Sequence, residues 1–128
     1  MSASPISISL ITPTYNEREN IALLAKEVFS VLDGNTEIDL ELIIVDDNSP
    51  DGTGDIAEEL CEKFPVKVVH RSGKLGLGSA VMEGFKKSDR EYLGVIDADL
   101  SHDPIVLPDL IMGLRDFDLT IGSRYDAD

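Results

Sequence analysis

The sequence contains little of what several common protein classes depend on. Among its 128 residues there are one cysteine, no tryptophan, and 11 Lys and Arg against 25 Asp and Glu, a formal net charge of −14. The lone Cys61 excludes an internal disulfide and fits a reducing compartment. The scarcity of cations argues against a nucleic-acid or anionic-membrane surface, because clustered Lys and Arg bind both. We expect neither a secretory signal nor a transmembrane segment, since no apolar run reaches about 18 residues.

The remaining pattern alternates between two periodicities and indicates one α/β domain spanning residues 1–128. Short apolar runs typical of buried strands are separated by segments with apolar residues at helical spacing. This alternation is typical of a mainly parallel sheet with helices on both faces. The strands are predicted at 6–12, 40–45, 66–69, 92–96 and 119–123, with helices in the intervals and after Pro104.

The predicted helix starts rest on local capping signals. Asn16 with Glu19 three residues later forms a capping box for the first helix, and Gly34 is its stop signal. Thr53 is predicted to cap the second helix. Pro104 can begin the last helix.

The most informative stretch is 95–104, where a buried strand runs into two aspartates. Asp97 and Asp99 follow the strand's carboxyl end, where open α/β sheets bind ligands. Two carboxylates there repel each other and are costly to desolvate unless a cation joins them. Mg²⁺ or Mn²⁺ supplies that charge and commonly holds substrate phosphates as well. For an isolated pair, a solvated acidic turn is the alternative.

Two further loops follow strands at the same predicted edge. After the first strand, Tyr15 can stack on a base, and Glu17 can accept from a ring N–H or a sugar hydroxyl. After the second strand, Asp46 and Asp47 point to opposite sides, so we expect only one to face a ligand. Asp47 is the candidate for the ligand. The alternative for the first loop is a turn with a helix cap. For the second loop it is that Asn48 and Asp51 shape the turn while Asp46 or Asp47 is solvated.

A glycine-rich loop at 71–80 and an arginine after the last strand are candidate phosphate contacts. Backbone N–H groups of such a loop bind phosphates at a helix N-terminus, although Val81 in place of a third glycine makes the dinucleotide fingerprint incomplete. Arg71 and Lys74 are two of the few cations and would flank the acidic site. The alternative is that Gly78 allows close helix packing. Arg124 can clamp a phosphate or pair with a surface carboxylate.

In this order, the motifs resemble those of family 2 glycosyltransferases with the GT-A fold, and most closely the dolichol-phosphate (polyprenyl-phosphate) mannosyltransferase group. The similar segments span almost the whole chain. The resemblance implies a nucleotide-sugar donor, typically GDP-mannose, a lipid-phosphate acceptor, and a Mg²⁺ or Mn²⁺ cofactor. It also implies inverting transfer, in which the metal stabilises the leaving diphosphate and the anionic acceptor needs no general base. We expect a cytoplasmic protein that can act at the cytoplasmic membrane face.

The same resemblance assigns roles to individual positions. Donor binding falls to Pro13, Tyr15, Glu17, Val45, Asp47, Lys74 and Ala98. The catalytic positions are Asp97, Asp99 and Arg124, with Arg124 meeting a phosphate. The metal ligands are Asp97 and Asp99, with Ser101 standing where some relatives supply a glutamine.

Relatives of this group continue beyond this length into acceptor-side elements, so we expect a C-terminally truncated domain. A nucleotide-sugar-binding module without turnover is therefore an alternative function. A receiver-type signalling domain is a second alternative, because the strand ending at Asp46 and Asp47 is typical of one. That class needs a lysine after its last strand, and none follows Lys87. A dehalogenase-type phosphatase, with Asp97 and Asp99 as its motif, lacks the same lysine.

Overall fold

A computed structural model of the chain describes residues 5–73, 76–101 and 103–113. The alternation of strands and helices predicted from the sequence is confirmed over these residues, whereas the strand expected at 119–123 lies outside them. The elements in chain order are β1 (Ile6–Thr14), α1 (Arg18–Val31), β2 (Ile38–Asp46), α2 (Thr53–Leu60), β3 (Val66–His70), α3 (Leu77–Lys86), β4 (Tyr92–Val95), a 3₁₀ turn (Pro104–Val106) and α4 (Leu107–Met112).

The four strands form one parallel sheet in the order β3-β2-β1-β4. β1 and β2 occupy its centre and pair along their full length, from Ile6 opposite Ile38 to Thr14 opposite Asp46. Because both central strands are covered on both faces, their middle segments, residues 10–11 and 42–45, are apolar and fully buried. The carboxyl ends of all four strands meet at one edge, and the loops that follow them are brought together there.

Successive residues of the central strands supply two separate apolar layers, as the period of two in a strand requires. Ile8 and Leu10 of β1 belong to the larger cluster, which is completed by α1, α2 and α4. Ile11 and Ile43 face the opposite way and pack with Ala80 of α3. None of the helices in the described part of the chain is long and apolar enough to cross a membrane.

Gly84 allows α3 to lie directly against β1. A Cβ at this position would lie 2.5 Å from Cγ2 of Ile11, whereas a Cβ at Gly78 would meet none of the described residues within 4 Å. The suggestion that Gly78 serves close packing is therefore wrong. Gly84 follows Ala80 by four residues, and that spacing puts both on the helix face turned toward the sheet.

The capping box predicted for α1 is also wrong. Glu17 precedes the first helical residue, Arg18, and no capping hydrogen bond comes from its side chain. Asn16 stands one residue earlier in the left-handed region, with φ of 57°. The backbone N–H of Arg18 donates instead to Oδ2 of Asp51 at 3.2 Å. An acceptor from the loop after β2 thus replaces the local one that Asn16 and Glu19 were expected to provide.

Thr53 is the first residue of α2, with Gly52 before it, so its prediction as the cap is off by one residue. Its buried hydroxyl donates to Asp51 and accepts from the backbone N–H of Glu17 at 3.0 Å. The two loops after β1 and β2 are therefore joined by hydrogen bonds. After β4, Pro104 begins the 3₁₀ turn and α4 follows as a separate helix.

Candidate functional site

A cavity of about 340 Å³ opens at the carboxyl edge of the sheet, where the loops after β1, β2 and β4 meet the start of α3. This volume is at the lower end of the range for small-molecule sites. Four acidic residues, and no basic one among the described residues, line it. It is lined by Pro13, Thr14, Tyr15, Glu17, Asp47, Gly76, Leu77, Ala80, Asp97, Ala98 and Asp99.

Most of the residues predicted as a site from the sequence lie together in this wall. They are Pro13, Tyr15, Glu17, Asp47, Asp97, Ala98 and Asp99. Val45 does not line the cavity, because it is fully buried in the α3-side layer with Ile11 and Ile43. Ser101 is exposed and is not part of the wall. Lys74 and Arg124 lie outside the described residues.

The loop after β1 presents Tyr15 and Glu17 to the cavity from a fixed backbone. The Tyr15 side chain is partly exposed, whereas Oε1 of Glu17 accepts from Nδ2 of Asn20 at 3.1 Å. The backbone N–H of Asn16 donates to Oγ of Ser49 at 2.9 Å. This contact with the loop after β2 holds the aromatic ring and the carboxylate in one wall.

Asp46 and Asp47 separate as their opposite directions predict, but neither is solvated. Asp46 is 2% exposed and does not line the cavity; it accepts from Oγ1 of Thr14 at 2.9 Å and from the backbone N–H and Oγ of Ser49 at 3.1 and 2.6 Å. The alternative in which one of the pair is solvated is therefore wrong. Hydrogen bonds from its own turn replace water around the Asp46 carboxylate.

Asp47 lines the cavity and forms a buried ion pair with Arg71. Nε of Arg71 donates to Oδ1 at 2.7 Å and Nη2 donates to Oδ2 at 3.0 Å, with the two side chains 5% and 7% exposed. The register explains the pairing. Asp46 lies opposite His70, so Asp47 and Arg71, the next residue on each side, are neighbours at the edge of the sheet. The hydrogen bond and charge of Asp47 raise the pKa of Arg71 above its ordinary value, although burial acts in the other direction.

Asp97, Ala98 and Asp99 form the wall that continues from β4. Oδ1 of Asp99 accepts the backbone N–H of Ser101 at 3.0 Å, and Leu100 between them is in the left-handed region with φ of 63°. A leucine rarely adopts this conformation, and such residues cluster at functional sites. The turn tethers the Asp99 carboxylate beside the cavity.

The donor set of this wall fits a hard divalent cation. Within residues 5–73, 76–101 and 103–113, no three His, Cys, Asp or Glu side chains form a cluster able to enclose an ion. Asp97 and Asp99 nevertheless line one cavity. Mg²⁺-type ions are commonly held by one or two carboxylates while water and substrate phosphate complete the coordination. A third protein ligand at Ser101 stays a prediction.

Several lining residues were not predicted as individual site positions, namely Thr14, Gly76, Leu77 and Ala80. The glycine-rich loop drew attention to this segment, and Gly76 has φ of 104° at the start of α3. Leu77 and Ala80 are three residues apart, so they share a helix face near that start. The spacing of three residues between Leu77 and Ala80 is the sequence signal that could have identified them.

Comparison with known proteins gives a consistent result. The family model described as Glycosyl transferase family 2 matches residues 9–128. The chain is 46% identical over 121 residues to a dolichol-phosphate mannosyltransferase of Pyrococcus furiosus, covering 94% of this chain and 34% of the relative. It is 38% identical over 121 residues to the enzyme of the same name from Saccharomyces cerevisiae, covering 94% and 45%. The chain thus spans between a third and a half of these relatives.

A solved structure with a similar fold is glucosyl-3-phosphoglycerate synthase from Mycobacterium tuberculosis, in complex with Mn²⁺, uridine diphosphate and glucosyl-3-phosphoglycerate. It superposes with a TM-score of 0.66 at 26% sequence identity, and the match covers 85% of this chain and 39% of that one.

Proposed function

This chain belongs to glycosyl transferase family 2, and from that premise we propose that it is the donor-binding part of a metal-dependent glycosyltransferase. The donor is a nucleoside diphosphate sugar, GDP-mannose, and the acceptor is a polyprenyl or dolichyl phosphate. The observation that carries the proposal is a single cavity in which an aromatic ring and four carboxylates converge at the carboxyl edge of the sheet. Family membership removes the receiver-domain and dehalogenase alternatives.

The nucleoside end of the donor fits the wall made by the loops after β1 and β2. The partly exposed Tyr15 offers a face on which a base can stack. Carboxylates accept hydrogen bonds only, so Glu17 and Asp47 suit ring N–H groups and ribose hydroxyls. Guanine presents adjacent N–H donors on one edge, and this favours it over bases that alternate donor and acceptor. Pro13 and Ala98 contribute apolar wall to the same pocket.

The diphosphate end fits the wall that continues from β4. Asp97 and Asp99 would hold Mg²⁺ or Mn²⁺ there. Their negative charge favours a cation, which can bind the donor phosphates at the same time. When bound, the ion supplies Lewis-acid charge that stabilises the departing nucleoside diphosphate. The relative solved with Mn²⁺ and a nucleoside diphosphate supports this pairing of ligands. Lys74 and Arg124 are proposed as further phosphate contacts.

An acceptor that is already a phosphate anion simplifies the chemistry asked of the chain. The second pKa of a phosphate monoester is about 6, so its oxygen can attack near neutral pH without a general base. We propose that the acceptor phosphate attacks the anomeric carbon of the sugar from the side opposite the diphosphate, which inverts the configuration at that carbon. The names of the two relatives support a dolichol-phosphate acceptor and mannose.

A nucleotide-sugar-binding module without turnover is the second candidate. The observation that favours it is that the donor and its metal account for the described lining of the cavity. The two candidates share the donor site and differ in whether sugar is transferred to polyprenyl phosphate.

The donor site is tested by thermal unfolding of this chain with GDP, UDP, GDP-mannose or UDP-glucose, each with Mn²⁺ and with EDTA. A ligand at about 100 times its Kd adds roughly 2.7 kcal/mol, which raises Tm by several degrees. The shift should require Mn²⁺, disappear in Asp99→Asn, and persist in the control Asp33→Asn, an exposed aspartate beyond the end of α1. No shift with any nucleotide would refute donor binding by this chain. Radiolabelled mannose transfer to polyprenyl phosphate then separates the two candidates.

A further inference from the structure

Arg71 lies behind the cavity wall and makes contacts with two residues that line it. Besides its two hydrogen bonds to Asp47, its Nη2 donates to the carbonyl oxygen of Gly76 at 3.0 Å and its Nη1 donates to Oγ of Ser79 at 2.7 Å. Asp47 and Gly76 line the cavity, whereas Arg71 itself does not. One buried side chain thus joins the end of β2 to the start of α3.

The backbone beneath this side chain is also fixed. The N–H of Arg71 donates to the carbonyl oxygen of Asp46 at 2.8 Å, which extends the β2–β3 ladder by one residue. A planar guanidinium anchored in this way sets the plane of the carboxylate it grips in a bidentate manner. A lysine would restore the charge but not the fork, since an ammonium is a flexible point charge.

We propose that Arg71 is a positioning residue for the donor nucleoside: held in place by its contacts with Gly76 and Ser79, it orients the Asp47 carboxylate so that this carboxylate accepts from the base. This inference rests on the proposed function, because it assumes that a nucleotide occupies the cavity. Arg71 acts through Asp47 and does not touch the ligand. The diphosphate end, held by Asp97 and Asp99, does not depend on it.

We expect Arg71→Lys to lower the affinity for a ligand that carries the nucleoside and not the affinity for one that lacks it. In Arg71→Lys, the Kd for GDP with Mn²⁺ should rise about tenfold, the equivalent of one misplaced charge-assisted hydrogen bond. The Kd for inorganic pyrophosphate with Mn²⁺ should stay within about twofold, since that ligand lacks the base. A general loosening of the fold would weaken both ligands together.

Isothermal titration of the whole chain measures these constants. The matched control is Arg90→Lys, because Arg90 also pairs with an aspartate, Asp39 at 3.0 Å, but near the start of β2. Arg90→Lys should bind GDP as the unmodified chain does. The variant Asp47→Asn and the double variant Asp47→Asn/Arg71→Lys complete a cycle. If Arg71 acts through Asp47, the double variant binds GDP no more weakly than Asp47→Asn alone.

Three results would overturn the inference. The first is equal GDP binding by Arg71→Lys and the unmodified chain, and the second is an equal loss of affinity for GDP and for pyrophosphate in Arg71→Lys. The third is a further tenfold loss of GDP affinity in the double variant relative to Asp47→Asn. If Arg71→Lys does not fold, a variant at the exposed residue Ser79 tests the inference instead. Ser79→Ala removes one of the arginine's contacts, so an approximately threefold loss for GDP alone supports the inference and no loss overturns it. Failure of the unmodified chain to bind GDP would instead refute the proposed function.

Discussion

Gly84 sets how closely α3 approaches the sheet, and adding a methyl group there measures that closeness. The new Cβ would lie 2.5 Å from Cγ2 of Ile11 and 3.2 Å from its Cγ1 and Cδ1. Ile11 is fully buried and branched at Cβ, so its methyl groups cannot rotate out of the way. Overpacking of this kind costs about 1–3 kcal/mol. Replacing glycine by alanine in a helix returns about 1 kcal/mol, so we expect Gly84→Ala to lower the free energy of unfolding by as much as about 2 kcal/mol.

Gly78 provides a matched control on the same helix. Because a Cβ there would lie within 4 Å of no residue that the structure describes, Gly78→Ala should gain helix propensity without any packing cost. Urea unfolding of both variants gives the two free energies, provided that the m-value is unchanged. Their difference isolates the overpacking cost, expected at about 1–3 kcal/mol in favour of Gly78→Ala.

A result in which Gly84→Ala is as stable as Gly78→Ala would refute this reasoning, because it would mean that α3 does not lie close to Ile11. The seating of α3 also bears on the site, since Leu77 and Ala80 of that helix line the cavity. We therefore expect Gly84→Ala to bind GDP with Mn²⁺ more weakly than the unmodified chain.

Two loop residues give further predictions, both measured by urea unfolding. Asn48 has φ of 56°, so Asn48→Ala should cost about 1 kcal/mol and Asn48→Gly less. Asp51 accepts backbone N–H groups of Arg18 and Thr53, so Asp51→Ala should cost about 1 kcal/mol. Burial acts to raise the pKa of Asp51, but hydrogen bonds from Thr53 and Arg18 lower it below 3.8. The Asp51 contribution is thus present above pH 3.8 and lost as the pH falls through the folded pKa.

The sheet and the edge that carries the site could be predicted because both depend on local pattern. The apolar segments 10–11 and 42–45 identify strands covered on both faces. In a parallel sheet the carboxyl ends then coincide, so the loops bearing Tyr15, Asp47 and Asp97 had to meet.

What the sequence could not reveal are contacts set by register and by distant loops. Arg71 grips Asp47 because β2 and β3 pair with Asp46 opposite His70, and no periodicity specifies that alignment. The cap of α1 was missed for the same reason, since Asp51 reaches Arg18 from another loop. A local capping rule considers only the nearest residues.

Metal-dependent nucleotide binding is the central claim, and titration of GDP into this chain with Mn²⁺ and with EDTA tests it directly. The account predicts binding with Mn²⁺ that EDTA abolishes and that Asp99→Asn loses while the control Asp33→Asn retains it. Absence of GDP binding under all conditions, or equal binding with Mn²⁺ and with EDTA, would contradict it.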